Sequence, residues 1–373
     1  MAVPDSIQFN VIFVPGTVRR LAPFILSLLD SNEHCRFRLV SNACHESEDQ
    51  VLHDLAKTDR RLSFVRIGHR VPLSHGVALT LLQHRETSPV FAFMDSDIFA
   101  TGDFLEELDW SPSQSAARFS CPPVWSNPQL EKLPEQFGVL SGTYNRLHDD
   151  FCVGSSYFAV YDNEVLTQCI QQTGINFEYS RWTQLPWRLR LELRRAGKEM
   201  LIYDTGKLLN ILLQLKLHSK LDFHRLNTVE HIGAVSCRTL QQTGSPLRQA
   251  LRSAAQTMPR SARLLCWHAG MHYGWRDLLC DEEVQNRQIE QHCQQRVYRH
   301  FMRLLRSPDM ATDSTVSFGP EHAGLIEPVT QASMLLQQNY SHWRLRVPDQ
   351  THTLSAGKHL DAGFQLRTCL KAA

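Results

Sequence analysis

Val90-Phe91-Ala92-Phe93-Met94 is wholly apolar and runs directly into Asp95-Ser96-Asp97. An apolar run of this kind reads as a strand covered on both faces, as in the middle of a parallel sheet. The run ends on two carboxylates one residue apart, and in sheets built from βαβ units ligands bind at the carboxyl ends of the strands.

The preceding chain fits that sheet. Phe9-Asn10-Val11-Ile12-Phe13-Val14 is a short apolar strand ended by the turn Pro15-Gly16. Leu21, Phe24, Ile25, Leu28 and Leu29 then fall at helical spacing. Phe37 to Val40 reads as a second strand ending at Ser41-Asn42, and Glu48 to Leu55 as helix. Leu62 to Ile67 alternates as a third strand, and Gly76 to His84 reads as helix. Strand and helix therefore alternate, which predicts an α/β fold with a mostly parallel, Rossmann-like central sheet flanked by helices.

Beyond Asp97 the pattern weakens. Residues 110–150 are rich in Pro, Ser and Gly and read as loops. Phe151 to Tyr161 is expected to be a strand, Asn163 to Gln172 a helix, Pro186 to Gly197 a basic helix capped by Gly197, and Glu199 to Tyr203 a strand. After about residue 240 only helical patterns remain, at 245–258 and 281–306. The expected organisation is one domain over 1–240 and a mainly helical appendage over 241–373.

Composition limits the function classes. The 373 residues carry 39 Lys+Arg against 38 Asp+Glu, a formal net charge of +1, without the basic excess of a nucleic-acid binder. The balance hides a basic zone. Arg181 to Arg225 holds ten Lys/Arg against four Asp/Glu, and His231 to Arg276 holds six Arg and no acid. The helical pattern at 245–258 lies in that zone and is amphipathic, which raises the expectation of a peripheral contact with an anionic membrane. Ten cysteines are scattered with no CxxC pair, and the first residues lack an apolar leader. A cytoplasmic protein, peripheral at most at the inner membrane face, is the expectation.

The chemistry of Asp95-Ser96-Asp97 suits a hard divalent cation, since oxygen ligands favour Mg²⁺ or Mn²⁺. The segment Pro89 to Leu108 resembles the DxD region of the GT-A nucleotide-sugar glycosyltransferases. Val11-Ile12-Phe13-Val14-Pro15 with its following helix resembles the opening of the family 2 type, and Arg194-Arg195-Ala196-Gly197 resembles the end of that type's Arg-rich helix. The resemblance covers about residues 7–240. It implies a GT-A fold and transfer of a sugar from a nucleoside diphosphate sugar, UDP-linked, to a hydroxyl acceptor. It implies that Asp97 ligates Mn²⁺ or Mg²⁺ and that Asp95 contacts metal or ribose. It also implies that Pro15, Gly16, Thr17 and Asn42 line the base and ribose, and that His231, in Glu230-His231-Ile232-Gly233, is a further metal ligand.

Two departures stand out. The family 2 type carries an acidic pair before the Arg-rich helix, whereas Gln184-Leu185-Pro186-Trp187-Arg188 has none, and Thr17 stands where that type often has Tyr. Either Glu178, the nearest upstream carboxylate, is the general base, or the reaction is retaining. Asp95-Ser96-Asp97-Ile98, Gly102-Asp103 and His231-Ile232-Gly233 also resemble the retaining family 8 enzymes, which need no such base.

Other candidates come from position. His75 opens a helix where an anion would bind, and Arg66 borders the same region. Ser96 joins the donor side. Asp150, Gly154 and Trp182 are the acceptor-side candidates. The rival functions are a sugar-nucleotide nucleotidyltransferase and a catalytically silent sugar- or partner-binding module. The single Gly of Pro15-Gly16-Thr17-Val18-Arg19 counts against the first, and the missing acidic pair supports the second.

Overall fold

The computed structural model describes residues 6–108, 110, 115–120, 145–146, 152–153, 157–198, 202–224, 226–233, 235–236, 259, 296–306 and 326–348. The elements run β1 (Ile7–Phe13), α1 (Val18–Ser31), β2 (Cys35–Asn42), α2 (Glu46–Ala56), β3 (Leu62–Ile67), α3 (His75–His84), β4 (Val90–Asp95) and β5 (Ile98–Ala100). They continue with β6 (Ser115–Ser120), β7 (Asn145–Arg146), β8 (Cys152–Val153), β9 (Phe158–Asp162), α4 (Asn163–Thr173), β10 (Ser180–Arg181), α5 (Trp187–Arg195), β11 (Ile202–Tyr203), α6 (Lys207–Leu217), β12 (Lys220–His224) and β13 (Val229–His231). Two C-terminal helices follow, α7 over residues 296–306 and α8 (Ile326–Arg346).

Seven strands form the main sheet in the order β12-β6-β9-β4-β1-β2-β3. β4 is its middle strand, as its apolar run predicts. Pairing is parallel from β4 through β1, β2 and β3 and between β12 and β6, while β9 runs antiparallel to both β4 and β6. The sheet is mostly parallel with one reversed strand beside its centre. Side chains alternate across β4: Ala92 and Met94 enter the core under α1 and α2, whereas Phe91 and Phe93 enter the core under α3, α4 and α6. Helices thus cover both faces, which is why no polar residue is tolerated before Asp95.

Several elements differ from the sequence pattern. Ser115–Ser120, inside the stretch read as loops, is a sheet strand, with Ala117 and Phe119 buried. Its Ser-rich sequence hides the apolar alternation. The strand expected over Phe151–Tyr161 is shorter, since Phe158–Asp162 joins the sheet while Cys152–Val153 pairs with Asn145–Arg146. α6 is apolar nearly all round and buried from Lys207 to Leu213, a pattern without a single stripe to read. α5 ends as expected. Gly197 adopts φ +66°, Lys198 N–H donates to the Leu193 carbonyl at 2.8 Å, and Gly197 N–H donates to that of Arg194 at 3.0 Å.

α7 and α8 join the core beneath α1. Phe301, Leu304, Val329, Leu336 and Trp343 belong to the same apolar cluster as Phe24 and Phe99, and Tyr340 donates its hydroxyl to the Arg20 carbonyl at 2.8 Å. The expected helix at 245–258 and the start of that at 281–306 lie outside the described residues. Among the described residues no helix is long and apolar enough to cross a membrane.

Candidate metal centre and its surroundings

β4 delivers Asp95 at the carboxyl end of the sheet, and the chain turns at once into β5. Asp95 N–H donates to the Tyr157 carbonyl at 2.7 Å, which fixes the start of the turn to the strand bridging toward β9. Asp97 is buried, and its side chain is held on one side by the backbone: Oδ2 accepts the Val235 N–H at 3.0 Å. Its backbone carbonyl accepts the Ile232 N–H at 3.0 Å.

Those two bonds come from the segment that carries His231. β13 pairs antiparallel with β5, setting His231 opposite Ile98. The returning chain is clamped by Glu107, whose carboxylate accepts the N–H groups of Asn227 at 2.6 Å and Thr228 at 2.9 Å, and the Thr228 hydroxyl. Gly102 is required beneath it, since a Cβ there would lie 2.7 Å from the Thr228 methyl. His231 is therefore built onto the acidic turn by a ladder, although it lies far along the chain.

The result is a cluster. His231 Nε2 stands 3.2 Å from Asp97 Oδ1 and 3.5 Å from Asp95 Oδ2. One ligand atom from each of the three residues falls within 4.8 Å of the others. The His231 ring lies flat on the Tyr157 ring, with centroids 4.4 Å apart and planes 11° from parallel. Burial by itself favours the neutral imidazole, but the charges of Asp97 and Asp95 outweigh it and raise the His231 pKa to about 9. Burial likewise disfavours the Asp97 carboxylate, and the facing His231 more than offsets this, holding its pKa below the usual value.

The donor set fits a divalent ion. Two carboxylates and an imidazole suit Mn²⁺ and Mg²⁺-like chemistry. Neither ring nitrogen of His231 makes a hydrogen bond of proper geometry, and the buried Ser96 Oγ has no partner. Asp95 differs from Asp97 in being about one third exposed, and so faces the open side.

The other expected residues fall into two sets. His75, the first residue of α3, lies near the centre, with Nδ1 3.8 Å from Asp95 Oδ1. Glu178 is exposed, and its backbone is pressed against the same helix start. A Cβ on Gly76 would sit 2.5 Å from the Phe177 carbonyl and 2.9 Å from the Glu178 Cα.

The second set is occupied with internal contacts. The Gly16 N–H donates to both oxygens of Glu48, at 3.0 and 3.1 Å, and the Val18 N–H to one of them at 3.3 Å. Thr17 is fully buried and donates its hydroxyl to the Val14 carbonyl at 2.7 Å. Asn42 is buried and exchanges two 2.9 Å hydrogen bonds with the Leu73 backbone. Arg66 Nε pairs with Asp49 Oδ2 at 2.9 Å. Trp182 is buried in the core beside Phe177 and Leu193, with the Arg194 guanidinium 5.6 Å over its ring, so it presents no open face for a sugar. Pro15 is half-buried at the turn. Asp150 and Gly154 lie outside the described residues.

Sequence reasoning missed Glu48 and Tyr157. Glu48 had a local signal, an acid in the first turn of a helix that accepts the N–H of its own N-cap His45, but its other partners are in the loop after β1. Tyr157 had none, because its contacts with the His231 ring and the Asp95 N–H appear only in the fold.

No family model matches this chain, and no curated protein does. Solved structures with a similar chain trace include the galactosyltransferase LgtC with donor and acceptor sugar analogs, at TM-score 0.31 and 9% identity over 44% of this chain and 64% of that one. GlyE of Streptococcus pneumoniae TIGR4, a glycosyltransferase, matches at TM-score 0.33 and 12% identity over 60% of this chain and 46% of that one. The mannosyltransferase PcManGT of Pyrobaculum calidifontis, in complex with GDP-Man and Mn²⁺, matches at TM-score 0.33 and 11% identity over 82% and 88% of the two chains. This chain thus spans less than two thirds of the first two proteins. All three are glycosyltransferases.

Proposed function

We propose that this protein is a metal-dependent glycosyltransferase of the GT-A type, moving a sugar from a nucleoside diphosphate sugar, UDP-linked, to a hydroxyl acceptor. The observation that carries the proposal is the group Asp95, Asp97 and His231, whose ligand atoms lie within 4.8 Å of one another beside the carboxyl end of the middle strand. That is where an α/β sheet binds ligands.

In this proposal Asp97 and His231 hold Mn²⁺ or Mg²⁺ from the buried side and Asp95 from the open side. The bound ion would neutralise charge on the leaving diphosphate. The chain's own residues do the rest. Asp97 stays ionised because His231 faces it. His75, at the free N-terminal turn of α3, offers a donor beside Asp95 for a phosphate oxygen. Glu178, beside that helix start, takes the proton of the acceptor hydroxyl as the new C1–O bond forms and the C1–O bond to the diphosphate breaks. Asp150 and Gly154 complete the acceptor side.

The test is release of nucleoside diphosphate from UDP-, GDP- and dTDP-sugars, with Mn²⁺ and with EDTA. Metal-dependent release from one donor is expected, and Glu178→Gln should slow transfer to an acceptor while sparing donor binding. Release from none, with no calorimetric binding of UDP, GDP or dTDP, would replace the enzyme with a silent binding module.

A further inference from the structure

α5 is nine residues long, Trp187-Arg188-Leu189-Arg190-Leu191-Glu192-Leu193-Arg194-Arg195, and its two sides differ sharply. Leu193 is buried and Leu189 packs against the same core beside Leu185. Glu192, the helix's one acid, pairs with Lys216 of α6. The outward side carries Trp187, 63% exposed, and Leu191, 39% exposed. Arg188, Arg194 and Arg195 are exposed on that same side. At 3.6 residues per turn, positions 187, 188, 191, 194 and 195 form one stripe. Two large apolar side chains thus sit in solvent inside a frame of three arginines, with no acid among them.

A single exposed apolar side chain is ordinary, but Trp187 and Leu191 stand one turn apart and form one patch. The arginines supply the second half of the pattern. The Arg188 guanidinium lies 5.6 Å over the Trp187 ring, so its head stays close to the apolar patch. Trp and Leu that enter an apolar boundary, ringed by cations that meet anions at that boundary, is what an anionic bilayer surface demands. The arginine stems would lie along the acyl boundary with their heads among the phosphates. A nucleic acid would use the cations and one aromatic face but would leave Leu191 exposed.

We propose that the exposed side of α5, centred on Trp187 and Leu191 and framed by Arg188, Arg194 and Arg195, docks the protein on the surface of an anionic lipid bilayer. This inference stands apart from the metal centre and holds or fails without it.

The experiment is sedimentation of the full chain with vesicles of phosphatidylcholine alone and of phosphatidylcholine mixed with phosphatidylglycerol, at low and high ionic strength. Binding to the anionic vesicles only, weakened by salt, is expected. Trp187→Ser with Leu191→Ser should lower the partition coefficient about tenfold or more. Each of Arg188→Gln, Arg194→Gln and Arg195→Gln should lower it about fivefold. These residues are exposed, and circular dichroism should report unchanged folds. No binding by the parent, or equal binding by parent and α5 variants, would overturn the proposal. So would retention on a single-stranded RNA that rivals the vesicles and ignores Leu191→Ser.

Discussion

Two parts of the sheet's carboxyl end look alike in sequence and differ in structure. The loops after β1 and β2, with Gly16, Thr17 and Asn42, have spent their hydrogen bonds on Glu48, Val14 and Leu73. Around the turn after β4 the contacts are of another kind: His231 Nε2 lies 3.2 Å from Asp97 Oδ1 and 3.5 Å from Asp95 Oδ2. The first part is held by hydrogen bonds between neighbouring loops, and the second is a cluster of facing charges, the group proposed to hold the ion. Position at the strand ends does not distinguish them. The kind of contact does.

The sharpest way to break this comparison is to neutralise the charged side. Asp97→Asn, which still offers an oxygen to the Val235 N–H, should lower metal-dependent donor turnover by about 10²–10³-fold, read as diphosphate release. A normal rate would mean that the cluster of Asp95, Asp97 and His231 holds no ion needed for turnover. Next in size is Tyr157→Leu, which removes the ring under His231. Mn²⁺ affinity, followed by electron paramagnetic resonance, should fall about 10–100-fold, while Tyr157→Phe keeps the stack and should stay near the parent.

The hydrogen-bonded side should respond in stability instead. Glu48→Gln leaves three backbone N–H groups, those of Gly16, Val18 and His45, with a weaker acceptor, and urea unfolding should show a loss of about 1–3 kcal/mol with donor affinity little changed. If donor binding falls instead of stability, the loop after β1 belongs to the site after all. His231 gives a pH test that needs no donor. Its folded pKa of about 9 lies above the ordinary 6.5, so in EDTA its contribution to stability is complete below about pH 6.5 and is lost as pH rises toward 9. With Mn²⁺ present the imidazole must be neutral to bind, and the trend across that window should flatten or reverse. The smallest effect is expected for Arg66→Gln. Its ion pair with Asp49 is more than half exposed on the Arg side, and stability should move by less than about 0.5 kcal/mol.

The comparison also explains what could be read from the sequence. β1 to β4 and α1 to α3 follow from apolar period alone, because each strand is covered by its own neighbouring helix. Asp95 and Asp97 were singled out as residue types with a chemistry, whereas His231 was suggested only by the resemblance to GT-A enzymes, and the structure brings the three together. Glu48 and Tyr157 were not, since their value lies in what they touch across long stretches of chain. β6 was missed for a related reason. Ser115 and Ser120 bound a strand whose burial comes from β9 and β12 on either side. Thr17, Asn42 and Trp182 were read as ligand contacts because sequence gives their place near the strand ends and not their partners.

The short ladder between β5 and β13 has one more consequence. Three residue pairs fix which side chain of Val229-Glu230-His231 points at the acidic turn. A slip of one residue would turn the imidazole to the opposite face and leave the sheet intact. The identity of the proposed ion-binding site is thus written in a register, set by the Glu107 clamp and the fit of Thr228 over Gly102. Deleting a single residue between Leu226 and Val229 should leave the circular dichroism of the parent and abolish Mn²⁺ binding read by electron paramagnetic resonance.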